Sequence, residues 1–281
     1  MARPTSMAAR RELGGELRRL RGERRGAEVA ALLGWSESKL SRIETARTGI
    51  SDADLERLLR VYAGTHGDRA RLRELARRGR VRVWWAPYRS SVAEPYDEFV
   101  AFEAEAVVIC EWETQVVPGL LQTDEYARAV IEVGAEVRDP ETAHRRTALR
   151  MARQTVLTRD PPPQLCVVLD ESALRREVGG RAVLRRQVQR LYEASQRPGV
   201  ELRVLPFAAG AHAALGEAFV IFEFGPERAP VVHSEDLVGG QLRTKPSDVR
   251  VYREAFADLR RRALSVPETR ELIARTGHAL G

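Results

Sequence analysis

The stretch Gly26–Ile43, GAEVAALLGWSESKLSRI, crowds polar side chains onto one short segment: Ser36, Glu37, Ser38, Lys39, Ser41 and Arg42. Short hydroxyls and cations at this density suit base edges and phosphates, although the same residues also make an ordinary solvated helix face. What holds them is set by their apolar neighbours. Val29, Leu33, Trp35, Leu40 and Ile43 recur at helical spacing, and Gly34 cuts the run in two. A glycine there lets a helix end in a positive-φ residue and the chain reverse. Two helices joined by a turn of about 3–4 residues cross steeply. The crossing needs a small side chain on the first helix, and Ala30 is placed for it. Ser36 fits the N-cap of the second.

These two helices need a scaffold, and the first 80 residues supply one. Leu13, Leu17 and Leu20 share a face of an earlier helix. Ser51 and Asp54 have the spacing of a capping box and open a run with Leu55, Leu58, Leu59 and Tyr62 inward. Leu72 and Leu75 anchor a fifth helix. The expectation is a compact all-α five-helix head over residues 1–80, followed by a separate body over residues 81–281.

Charge follows the same division. Residues 1–80 hold 19 Lys and Arg against 11 Asp and Glu, a net of +8, whereas the whole chain is +6. The basic excess therefore belongs to the head, which suits a polyanion partner. Arg18, Arg19, Arg21, Arg24, Arg25 and Arg47 are candidate phosphate clamps. The 281 residues contain only Cys110 and Cys166, each among apolar β-formers, and five scattered His without zinc spacing. The expectation is reduced thiols buried in strands, with no metal and no cofactor. No apolar run approaches the roughly 20 residues of a membrane span, and the basic N-terminus lacks the apolar stretch of a secretory signal. Residence in the cytoplasm is expected.

The head resembles the lambda-repressor/Cro-type (Xre) helix-turn-helix family at Val29, Ala30, Leu33, Gly34, Trp35, Leu40 and Ile43 together. The segment SRIETAR also resembles the family's continuation, with Ala46 at a usual glycine. The resemblance implies a lambda-repressor-like fold and double-stranded DNA as partner. It places Glu37 and Ser38 at base-reading positions, with Lys39, Ser41 and Arg42 on the same exposed face. Ser36 from that polar face and Arg47 from the candidate clamps complete the expected DNA contacts. Gly26 replaces a phosphate-contacting Gln common in the family. Glu37 replaces a common Gln, and it either accepts from cytosine N4 or serves only as a first-turn acid at the positive end of the helix.

In the body, strand-like and helix-like runs alternate, which predicts an α+β domain. AVVICEWETQVV, QLCVVLD, VELRVL, EAFVIFEF and PVVHSE read as strands. GGRAVLRRQVQRLYEASQ reads as a helix with Val183, Val188 and Leu191 inward. Trp84 and Trp85 suit a hydrophobic seal after the head. The segments VVPGLLQTDEYARAVI, VVLDESALRREVGG, ELRVLPFAAGAH and VVHSEDLVGG resemble the C-terminal domain of unknown function of actinobacterial Xre-type regulators, among them antitoxin-like and developmental ones. That resemblance implies a transcriptional regulator, in a group often encoded beside a small partner protein. The expectation is a homodimer, since a twofold pair is the commonest oligomer, whose body dimerises and binds a small partner protein or a small-molecule ligand. The other class of function is an enzyme-like body whose head docks onto protein. Its candidate groups are Asp170, Glu171, His212, His233, Glu235 and Asp236, and their spacing matches no catalytic or phosphate-binding motif. No catalytic residue is assigned.

Overall fold

A computed structural model describes residues 6–46, 48–62, 66–79, 96–134, 137, 139–226, 228–236 and 239–281. Arg47, Trp84 and Trp85 lie outside these residues. The chain divides into two compact units, Met1–Ala86 and Pro87–Gly281.

The first unit is helical among its described residues: α1 (Ser6–Arg21), α2 (Gly26–Leu33), α3 (Glu37–Glu44), α4 (Asp52–Val61) and α5 (His66–Gly79). Leu13, Leu17, Val29, Leu33, Leu40, Ile43, Leu55, Leu58, Leu59, Leu72 and Leu75 form one buried cluster. Helices α2, α3 and α4, of eight to ten residues, are too short to persist alone in water, so this shared core holds them. The α2–α3 turn follows from the backbone of Gly34, which lies at φ 64° and ψ 33°. The Trp35 N–H donates to the Ala30 carbonyl at 2.8 Å and the Gly34 N–H to Ala31 at 3.1 Å, the paired bonds of a Schellman motif. Ser36 then caps α3 by accepting the Lys39 N–H at 3.2 Å. Ser51 caps α4 through the Asp54 N–H at 3.0 Å. The expected capping box is only half made, because the Asp54 carboxylate is drawn to Lys39 instead.

In the second unit the described strands are β1 (Val108–Glu113), β2 (Gln164–Asp170), β3 (Val200–Leu205), β4 (Phe219–Glu223), β5 (Val231–Glu235) and β6 (Gly240–Arg243). They form one mixed sheet in the order β3-β2-β1-β4-β5-β6. Strands β1, β2 and β3 run parallel, and β4, β5 and β6 add antiparallel. The parallel half needs crossovers, supplied by α7 (Asp124–Glu132) and α8 (Pro140–Arg153) and then by α9 (Arg181–Ser195). On one sheet face α6 (Tyr96–Glu105) stacks Phe102 on Phe222. On the other, α10 (Pro246–Arg262) buries Phe256 and Leu259 with Trp112, Val168 and Ile221. The last helix, α11 (Val266–Ala279), packs on α9 and β3. This is the expected all-α head followed by an α+β body. Strand β6 was not anticipated, since its four residues carry no apolar alternation. The buried stripe of α9 is Leu184, Gln187, Val188 and Leu191, whereas Val183, expected inward, is only half-buried.

Two glycines of the head carry different constraints. At Gly34 a Cβ would meet open space, so only its left-handed backbone resists a side chain. At Gly14 a Cβ would lie 2.5 Å from the Glu44 carbonyl oxygen, where α1 passes the end of α3. Gly34→Ala should cost about 1 kcal/mol, and Gly14→Ala about 2–3 kcal/mol by forcing the helices apart. Amide hydrogen exchange across α3 in the full chain measures both. Equal losses, or the larger loss at Gly34, would contradict the packing described.

Candidate nucleic-acid interface

Helix α3 turns Leu40, Ile43 and Glu44 inward and leaves Glu37, Ser38, Ser41 and Arg42 exposed, with the capping Ser36 beside them. The Ser36 and Ser38 hydroxyls lie 3.2 Å apart. Arg42 donates from Nε to the Ser38 carbonyl at 3.2 Å, which lays its stem along the helix. Lys39 stands differently. Its Nζ meets Asp54 Oδ2 at 2.9 Å and sits 4.1 Å over the Trp35 ring. It braces α3 against α4 and the turn. Arg57 completes the brace from α4: it lies 5.9 Å over Trp35 and donates to the Leu33 carbonyl at the open end of α2. Val29, Ala30, Leu33, Leu40 and Ile43 are buried, and Trp35 packs partly buried against them.

The candidate phosphate clamps are mostly engaged within the head. Arg21 grips Glu44 with both prongs, Nε to Oε1 at 2.7 Å and Nη2 to Oε2 at 3.1 Å. Arg18 approaches the same carboxylate at 3.8 Å, and the Tyr62 hydroxyl donates to it at 3.2 Å. Glu44 is 8% exposed, so this is a buried charge held by charge-assisted bonds. Its hydrogen bond holds the Arg21 guanidinium more firmly protonated, and burial followed by Glu44 pushes the Tyr62 hydroxyl well above its ordinary value. Arg19 pairs with Glu16 at 2.9 Å, and Arg24 caps the α4 end through the Val61 carbonyl at 2.8 Å. Arg25, just before α2, is exposed and has no partner among the described residues. The sequence alone did not separate structural from free arginines, because both kinds lie on polar faces.

In the body the acids and histidines considered for chemistry are not gathered into one constellation. Asp170 caps the turn after β2 by accepting the Ser172 N–H at 2.9 Å. Glu171 accepts the Phe207 N–H and the Arg175 Nε, both at 2.9 Å, and these hold its carboxyl below the usual range against the opposing effect of burial. His212 lies against Trp112 at 5.1 Å on the α10 face. His233 lies on the opposite face against Phe99 at 4.7 Å. Asp236 accepts the Gly239 N–H at 3.0 Å within the β5–β6 turn. Glu235 and Asp236, with Thr114, Glu217, Ser234, Gln241 and Arg243, line a polar cleft of about 400 Å³. It opens beyond the carboxyl end of β1, where the strand order reverses from β2 to β4. That is where open sheets with parallel strands place ligands.

Three buried charged residues, Glu103, Glu111 and Arg153, are not singled out by the sequence reading. Glu103 and Arg153 form a bidentate pair at 2.9 and 2.6 Å, each about 5% exposed, roofed by Phe99 at 4.7 Å. Glu111 sits nearby, and burial, then the Glu103 charge, pushes its carboxyl up to about 7. A glutamate inside an apolar strand was the available signal. His233 is 6% exposed, and burial followed by the Arg153 charge lowers it to about 4. It is therefore neutral in the fold, whereas the unfolded chain protonates near 6.5. Stability is unaffected above that value and is lost as pH falls from about 6.5 through about 4, by roughly 3 kcal/mol. His233→Asn should remove this component. The difference between the two urea-stability profiles over that window is the measurement, and parallel profiles would contradict it.

Residues 12–83 match a helix-turn-helix domain family. Residues 96–275 match the family described as domain of unknown function (DUF5753). No curated protein and no solved structure matches the chain. Among the described residues no group of His, Cys, Asp and Glu could hold a metal ion, and no helix is long and apolar enough to cross a membrane. The match to the body spans well over half of the sequence, so the chain belongs to the DUF5753 family, and its head is a helix-turn-helix domain of the kind that DNA-binding regulators carry.

Proposed function

We propose that the protein is a sequence-specific, DNA-binding transcriptional regulator of the Xre type. The observation that carries this reading is α3: a capped, braced helix whose exposed face is Ser36, Glu37, Ser38, Ser41 and Arg42. These groups point outward, while the residues that fix the helix, Lys39 among them, point to the core or to neighbouring helices. In this reading Ser38 and Arg42 donate to base edges, and Glu37 accepts from cytosine N4. Ser41 and Arg25 face phosphates, and Arg47, outside the described residues, is assigned to the backbone as well. Lys39 acts by holding α3 rather than by touching DNA.

The protein acts as a homodimer on a palindromic operator, its two α3 helices in successive major grooves about 34–36 Å apart. A twofold pair is the commonest oligomer and matches the symmetry of such an operator. The body serves dimerisation and control by a small partner protein or a small-molecule ligand. The polar cleft beyond β1, β4 and β5 supports a small polar ligand, since it offers both carboxylates and the Arg243 guanidinium. The body's acids and histidines support no reaction, because Asp170 and Glu171 are occupied as structural acceptors and the two histidines occupy opposite faces of the sheet. The setting is a bacterial cytoplasm, in an antitoxin-like or developmental regulator of actinobacterial type.

Binding of the full chain to its operator should weaken steeply with salt as phosphates release their counterions. Arg42→Ala and Ser38→Ala should each cost about 1–3 kcal/mol on the operator and leave non-specific binding nearly unchanged. Arg25→Ala should weaken both alike and lower the salt slope by about 1. Titrations at several salt concentrations with operator and scrambled duplexes measure all three. A slope near zero, or uniform loss in the Arg42 and Ser38 variants, would overturn the assignment.

A further inference from the structure

Cys110 on β1 and Cys166 on β2 are register partners on neighbouring parallel strands. Register partners leave the same face of a sheet. One row on this face therefore reads Glu201, Cys166, Cys110, Ile221, Val232, Arg243. Both cysteines are free and half-buried, at the edge of the apolar cluster under α10. The thiols lie in strands as expected, but the expectation that they are buried is corrected: the fold brings them side by side and leaves both only half-buried.

Their surroundings differ. Beside Cys166, Glu201 is gripped by Arg260 at 2.7 and 2.6 Å and by Arg203 at 2.6 Å, two cations against one carboxylate. Toward the Cys110 side, Glu223 is matched among the described residues by one partner, Arg253, at 2.7 Å. A cleft of about 410 Å³ lined by Arg203, Ala257, Arg260 and Arg261 opens beside the Glu201 network. An arginine-rich, partly open setting favours the thiolate, which is the nucleophilic form. The interaction between the two thiols, with burial, pushes Cys110 up; the same interaction lowers Cys166 against the opposing effects of burial and the Glu201 charge.

We propose that Cys110 and Cys166 are a peroxide-oxidisable dithiol, with Cys166 as the attacking sulfur and Cys110 as the resolving one. The Cys166 thiolate attacks one oxygen of a hydroperoxide. The O–O bond breaks, the other oxygen leaves with a proton as water or alcohol, and Cys166 becomes a sulfenic acid. The Cys110 sulfur gives up its proton and attacks Cys166 Sγ; the S–O bond breaks and water leaves. The two sulfurs together lose two electrons, and the peroxide gains them. Neighbouring strands lie about 4.8 Å apart, within the roughly 4.4–6.8 Å of Cα separation that a disulfide spans. The bond must draw the Cβ atoms to about 3.8 Å, so it pinches the two strands. A pinched, partly exposed disulfide is readily reduced again, as a reversible modification requires.

The test treats the reduced full chain with hydrogen peroxide, blocks remaining thiols with an alkylating agent and reads intact and peptide masses. The expected result is a chain lighter by two hydrogens, with Cys110 and Cys166 peptides joined within one chain and released by dithiothreitol. In Cys110→Ser, a dione should trap sulfenic acid on Cys166 at a rate within about threefold of the wild type's rate of disulfide formation, whereas in Cys166→Ser the Cys110 thiol should react about tenfold more slowly. Near-UV circular dichroism checks that each variant is folded, and alanine replaces serine if one is not. Both thiols remaining open to alkylation, a link only between chains, or equal rates in the two variants would overturn the proposal.

Discussion

The head depends on one buried carboxylate. Glu44 ends α3, where the negative end of the helix makes an acid unfavourable, and it is nearly enclosed. Both costs are offset by the two prongs of Arg21 from α1 and by the Tyr62 hydroxyl beyond α4. Removing one partner of such a pair strands the other without solvent, at a cost of about 3–5 kcal/mol. Carboxylate, guanidinium and hydroxyl together tie α3 to the elements before and after it. Lys39 and Arg57 hold its other end through Trp35 and Asp54. A helix fixed at both ends can present an exposed face at a defined angle, which sequence reading requires.

The body follows a different rule. Its parallel strands need helical crossovers, and these with α10 place a cover on each face of the sheet. Polar groups admitted to that interior must then bring partners. Arg153 and Glu103 do so, Glu171 takes a backbone N–H and Arg175, and His233 stays neutral. Among the described residues two clefts reach the sheet: the polar one beyond the end of β1, and the arginine-lined one between the edge strand β3 and α10. If the body is controlled, these are the places where a small molecule reaches the sheet without disrupting its core.

Much of the head was legible in the sequence because its signals are local. Gly34, Ser36 and Ser51 act through their own backbone or the next turn, and the leucine spacing names the buried faces. The pairings of Glu44 with Arg21 and of Lys39 with Asp54 span 23 and 15 residues. No periodicity encodes them, and in the sequence Arg21 and Lys39 are only cations on polar helix faces. In the body, apolar runs mark β1 to β5, but four-residue β6 lacks any pattern and exists because β5 offers it an edge. The neighbouring placement of Cys110 and Cys166 depends on strand order and register, neither of which the separate segments VVIC and QLCVV contain.

In the proposed function the exposed face of α3 reads DNA sequence. The most direct measurement is selection of bound duplexes from a random DNA library by the purified full-length chain at two salt concentrations. The expected result is a palindromic motif whose half-sites lie one helical turn or a multiple of it apart, with weaker retention at the higher salt. Retention without sequence preference, or no retention at either salt, would contradict it.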